Sequence, residues 1–137
     1  MKTKISKGLL WLEKYLLTAK SKMPLLDMPR AIRSFKPHLK KEHLTLGNCS
    51  IEDKTITLAT HSITEKTVKG KKKYSLTPLS HFEILETFAH ELSHFAYRNH
   101  GYEQEWYALT IFNTFGLKET CPHCHGKGKI PAMYRND

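Results

Sequence analysis

The sequence predicts an α+β fold, and three observations carry that prediction. Segments 79–97 and 103–115 repeat apolar residues at helical spacing. Residues 44–59 alternate them at the strand period of two. The chain has 137 residues, 39% of them hydrophobic, with six Phe, six Tyr and two Trp, so it can bury one domain-sized core.

Residues 4–20 are a predicted helix, because Ile5, Leu9, Leu12 and Leu16 follow an i, i+4, i+7, i+11 stripe among lysines. Pro24, Pro29 and Pro37 break up the next stretch, which is expected to be loop with room for one short helix. Leu44-Thr45-Leu46, punctuated by Gly47-Asn48, and then Ile51, Ile56 and Leu58 around a Glu52-Asp53-Lys54 turn suggest a small meander. Polar, lysine-rich residues 64–75 are expected as an exposed loop or edge. For helix 79–97, Thr77-Pro78 offers one start and Ser80-x-x-Glu83 a capping box one turn later. Its stripe is Leu85, Phe88, Ala89, Leu92, Phe95 and Ala96. Helix 103–115 should turn Trp106, Leu109, Phe112 and Phe115 inward and stop at Gly116.

The formal charge is +9 and unevenly spread. Residues 1–41 carry 11 basic and 2 acidic side chains, and residues 66–73 add five lysines. Residues 83–105 hold five glutamates against one arginine. A basic periphery suits a polyanion outside, and an acidic centre suits a cation inside. The longest apolar run, Gly8–Leu12, is too short to span a bilayer, so no membrane is expected. The basic start MKTKISKGLLWLEKYLL has its apolar stretch interrupted by Glu13 and Lys14, and no small-residue cleavage site follows. With an odd number of cysteines, two of them in one C-x-x-C, a reduced, cytoplasmic protein is expected.

His90-Glu91-Leu92-Ser93-His94 is H-E-x-x-H inside the predicted helix. Residues i and i+4 stack on one helix face, so both imidazoles reach one ion. On the wheel the pair points away from the apolar stripe, with Glu91 beside it, placed to bond a metal-bound water. Chance supplies about 0.04 such motifs in this composition, and about 0.003 once a histidine is required ten residues after the first, where His100 stands. A catalytic zinc takes three protein ligands and keeps one position open. His90, His94 and His100 supply the three if the chain turns after Tyr97, with Asn99 able to take a left-handed conformation there. Glu103 or Glu105 is the alternative third ligand.

The segment HELSHFAYRNHGYEQEWYALTIFNTFG, within Ser80–Gly116, resembles the SprT-like, WLM and YgjP-type zincin metalloproteases. Leu46-Gly47-Asn48-Cys49 and Thr55–Leu58 are similar to that group's short strands. The resemblance covers about residues 44–116 and implies a small zincin-like domain at 1–118, with N-terminal helix, small β-sheet, H-E-x-x-H helix and following helix. It implies zinc-dependent peptide hydrolysis of protein substrates, often in a DNA-linked role. Zn²⁺ on His90, His94 and His100 would activate water, and Glu91 would act as general base. Tyr97, Tyr74 and Tyr102 are all candidates for stabilising the oxyanion.

The tail, 119–137, departs from the group. Cys121-Pro-His-Cys124-His125-Gly-Lys-Gly resembles half of a DnaJ-type zinc module. One pair cannot close a four-ligand site, so a second, structural zinc on Cys121 and Cys124 needs His123, His125, Cys49 or a second chain. C-x-x-C-H is also the haem c attachment pattern. Lys69, Lys71, Lys72 and Lys73 are candidate phosphate contacts for DNA, with Tyr74 placed to stack on a base. The alternative function is a zinc-stabilised nucleic-acid-binding or protein-interaction module without protease activity.

Overall fold

A computed structural model describes residues 3–37 and 46–117. Cys121, Cys124 and the rest of the proposed tail site lie outside them, as do Leu44 and Thr45. The described chain is a mixed α+β structure with three α-helices, a four-stranded sheet and a separate two-stranded ribbon.

The expected helix 4–20 is replaced by three shorter elements: β1 (Lys4–Ile5), a 3₁₀ segment (Lys7–Leu12) and α1 (Glu13–Lys22). The stripe still turns inward, with Leu9, Leu12 and Leu16 buried. Its first residues are claimed by the sheet, where Lys4 and Ile5 pair with Ala31 and Ile32. The expected loop at 24–37 is corrected too. Ala31–Phe35 forms β2, running parallel to both β1 and β4 (Thr55–Ala59). Pro29 and Pro37 flank this strand without entering it, so no ladder donor is lost.

The β3 strand (Gly47–Ser50) pairs antiparallel with β4 across the 51–54 turn, which completes the order β1-β2-β4-β3. One sheet face carries Ile32, Ile56 and Leu58 into the core; the other is polar. Residues 64–75 are not loop. They belong to β5 (His61–Val68) and β6 (Lys71–Pro78), joined at Lys69-Gly70. Both turn residues have positive φ, 53° and 79°, as in the primed two-residue turns that match strand twist.

The Ser80 box starts α2 (His81–Ser93). Its hydroxyl accepts from the Glu83 N–H while Glu83 Oε1 accepts from the Ser80 N–H at 2.9 Å. Thr77 and Pro78 close β6 instead. α3 (Tyr102–Thr114) ends before Gly116 at φ 73°. Trp106, expected inside, is 64% exposed, and Ala96 is exposed as well. Phe115 is buried as expected, but the buried residues of α3 itself are Gln104, Ala108, Ile111 and Thr114, about one residue out of phase with Trp106, Leu109 and Phe112. α2 packs on α3, β3 and β4, so Phe88, Leu92, Ile111, Leu58 and Leu12 share one core. Among the described residues, no helix is long and apolar enough to cross a membrane.

Candidate metal centre

His90 and His94 lie one turn apart at the end of α2, 6% and 8% exposed. The chain then tightens, with the Ala96 and Tyr97 N–H groups both donating to the Ser93 carbonyl, at 3.0 and 2.9 Å. No left-handed residue is needed: Asn99 is not among the described residues with positive φ. The loop returns His100 to the pair. His90 Nε2 lies 3.3 Å from His94 Nε2 and 3.3 Å from His100 Nε2. The ligand atoms of all three lie within 4.8 Å of one another.

The two separations at His90 suit a cation. In a tetrahedral site with metal–nitrogen bonds of about 2.0–2.1 Å, ligand nitrogens stand about 3.3–3.4 Å apart. Hydrogen bonding alone does not satisfy both contacts, because a ring nitrogen offers either one N–H or one lone pair. His90 Nε2 can therefore serve only one of its two neighbours, whereas an ion among the rings uses every lone pair. Three histidines that could hold a metal ion are thus placed together. Glu103 and Glu105, the alternative third ligands, stand in the first turn of α3 outside this group.

The electrostatics favour a neutral His94 ring. Burial lowers the His94 pKa, backbone hydrogen bonding at Tyr97 and Arg98 opposes the shift, and the nearby His100 lowers it further. His94 Nδ1 lies 3.1 Å from the Tyr97 carbonyl, which accepts its proton and leaves the Nε2 lone pair facing the centre.

Glu91 is buried on the same turn, with β3 passing close by. A Cβ at Gly47 would sit 2.6 Å from Thr87 Cγ2 and 2.9 Å from Glu91 Oε2, so only glycine lets the strand approach. Cys49, in the same strand, is pushed up to about 12 by burial and by the Glu91 charge. It is a thiol packed against the core, not a thiolate ligand.

Tyr97 and Tyr102 line a cavity of about 420 Å³ together with Asn99 and His100, whereas Tyr74 stands on the ribbon. Lys69 sits in the ribbon's turn and Lys71, Lys72 and Lys73 on β6, all exposed. Cross-strand pairing puts Lys66, Lys71 and Lys73 on one face. Lys72 is on the other, 3.8 Å from Glu65.

Sequence reasoning missed Gln104 and Gly47. Gln104 is 1% exposed behind His90. Its signal was its place at the head of the 104, 108, 111, 115 stripe, where a polar residue continues an apolar face. Gly47 had no comparable signal, because its need arises from contact with another element. No protein-family model, curated protein or solved structure matches the chain.

Proposed function

We propose that the chain is a zinc-dependent metallopeptidase, a hydrolase of protein substrates, on a small zincin-like scaffold of the SprT-like, WLM and YgjP type. The observation that carries the reading is the convergence of three imidazoles, with His90 Nε2 3.3 Å from the Nε2 of both His94 and His100. Three histidines with a fourth position open are a donor set suited to catalytic zinc. When bound, zinc lowers the pKa of water to about 7 and polarises a carbonyl. His90 and His94 hold it from the helix and His100 from the loop. Glu91 takes the proton of the attacking water and returns it to the leaving amine. The cavity beside exposed His100 offers substrate a way in. The lysines of the β5–β6 ribbon support a nucleic-acid-associated role, through sequence-independent phosphate contacts.

Metal analysis and cleavage of a protein substrate, with and without single-stranded DNA, test this on wild type and Glu91→Gln. Both should keep one zinc at the histidines, while Glu91→Gln loses about 10²–10⁴-fold in hydrolysis. Equal cleavage by the two sinks the mechanism. Zinc without cleavage by wild type leaves the zinc-stabilised binding module.

A further inference from the structure

The basic excess of residues 1–41 has no part in the proposed function, and the sheet gathers some of it on one surface. Side chains alternate along a strand, so the neighbours of Ile32, Ile56 and Leu58 point away from the core. The register sets them in two rows. Lys4, Ala31, Thr55 and Ser50 form one, and Arg33, Thr57 and Asn48 the other. The rows stand about 6.7 Å apart, and neighbouring strands about 4.8 Å. Arg30, at the entry to β2, adds a third cation. Ala31 is the smallest side chain of its row and leaves a hollow among longer ones. The result is a cavity of about 710 Å³ across the solvated face.

The two sides of this cavity differ in chemistry. Lys4, Arg30 and Arg33 stand on the β1–β2 side, all exposed. Among the described residues, their side chains have no hydrogen bond or ion pair. On the β4–β3 side, Ser50 donates to Asp53 Oδ2 and Thr55 to the Asp53 carbonyl, each at 3.3 Å, so both serve the turn. Thr57 and Asn48, in the same row as Arg33, keep their donors for a ligand. Asp53 is the one carboxylate against three cations.

The described residues that line the cavity include no aromatic ring and no apolar side chain larger than Ala31. Nothing there would hold a base or an apolar body. Cations with hydroxyl and amide donors are the groups that bind nucleic-acid phosphates and sugars. Single strands are held in addition by rings on which bases stack. A duplex turns its bases inward and presents its phosphates. We infer that the open face of the four-stranded sheet binds the phosphate backbone of a nucleic-acid duplex. Lys4, Arg30 and Arg33 pair with phosphates, and Thr57 and Asn48 donate to their oxygens. Such contacts carry no sequence information, so binding is independent of base order. The inference rests neither on the metal nor on the ribbon.

Binding of a blunt-ended DNA duplex to the full chain is measured by fluorescence anisotropy across a salt series, beside an oligothymidine strand and a polyglutamate peptide. Alanine at Lys4, Arg30 and Arg33 together should flatten the duplex slope of log K against log salt by up to about 2.7, and weaken binding about 100-fold at about 0.1 M salt. On oligothymidine the same variant should change the slope by less than about 0.7. Asn48→Ala with Thr57→Val should weaken the duplex about tenfold with its slope unchanged, because no charge is lost. If the triple variant does not fold, this pair and Arg33→Ala alone decide, the latter by a slope change of about 0.9. Alanine at Lys66, Lys71 and Lys73 should cost the duplex less than the sheet variant does. Equal slope changes on duplex and oligothymidine, a larger duplex loss in the ribbon variant, or polyglutamate bound as tightly as duplex each overturns the assignment. So does a wild type that binds no duplex. Zinc binding and cleavage are read separately, so none of these outcomes touches the metal reading.

Discussion

The β5–β6 ribbon ends at Pro78 and α2 begins at His81, yet the two neighbours are built on opposite principles. Eight of the thirteen α2 residues are buried, among them His90, Glu91 and Ser93. No ribbon residue is buried. In α2, the polar groups are held by neighbours on several sides, so spacing along the helix becomes a defined geometry. On the ribbon, the Lys69-Gly70 turn, the ladder and a Thr64–Thr77 hydroxyl contact fix the register, and the lysine heads stand in water, Lys72 beside Glu65. Chemistry that needs positions exact to fractions of an ångström belongs in the first environment. Chemistry that needs only a density of charge can live in the second.

The comparison is tested most strongly through stability. Phe88 is fully buried and stacks on Phe115 with ring centroids 6.1 Å apart. Phe88→Ala should cost about 3–5 kcal/mol in urea unfolding. Tyr74→Ala on the ribbon should stay within about 0.5 kcal/mol. Similar losses at both sites would mean that the ribbon is as well packed as the helix.

Metal affinity separates the regions next. His100→Ala should weaken zinc by more than about 100-fold, beyond what outer-shell changes cost. Alanine at Lys71, Lys72 and Lys73 together should leave zinc affinity unchanged. A ribbon variant that strips the metal would join two sites described here as separate.

Two glycines sharpen the contrast on a smaller scale. Gly47→Ala pushes a methyl group into Thr87 and Glu91 and should cost about 1–3 kcal/mol, with faster amide exchange in α2. Gly70→Ala meets no atom within 4 Å and is strained only by its φ of 79°. It should cost about 1 kcal/mol, with faster exchange confined to 61–78. Exchange that spreads from Gly70 into α2 would show the two elements opening as one unit.

The smallest effect is electrostatic. Alanine at Lys66, Lys71 and Lys73, which share a ribbon face, should flatten the slope of log K against log salt by about 2 for single strands. Lys72→Ala, on the opposite face beside Glu65, should change it by less than about 0.7. If Lys72 carries the larger change, the binding face is the other one.

Much of the site was legible because it is local. H-E-x-x-H on a helix fixes two imidazoles by backbone geometry alone, and Ser80-x-x-Glu83 is the one of the two starts offered by the sequence that the helix uses. Expected bounds 103–115 and observed bounds Tyr102–Thr114 differ by one residue. Strand β2 was missed because its pattern, AIRSF, is short and flanked by prolines, and its pairing partners stand about 25 residues away on either side. Trp106 was placed inside because bulk and apolarity suggest burial. The structure gives the inward position two residues earlier to Gln104, whose amide bonds Ser93 beside His90.

The sequence by itself determined what depends on neighbours within about a helical turn or hairpin: the β3–β4 turn, the Gly116 stop, the histidine pair and a choice of two caps for α2. Tertiary structure decided the parallel pairing of β1, β2 and β4, the return of His100 to within 3.3 Å of His90, the glycine at 47 and the glutamine behind the centre. The reason is physical. Local geometry follows from dihedral preferences and side-chain spacing, which each segment carries with it. A long-range contact forms only where the burial of a whole core offsets the entropy of closing the chain between its partners, and no single segment encodes that sum.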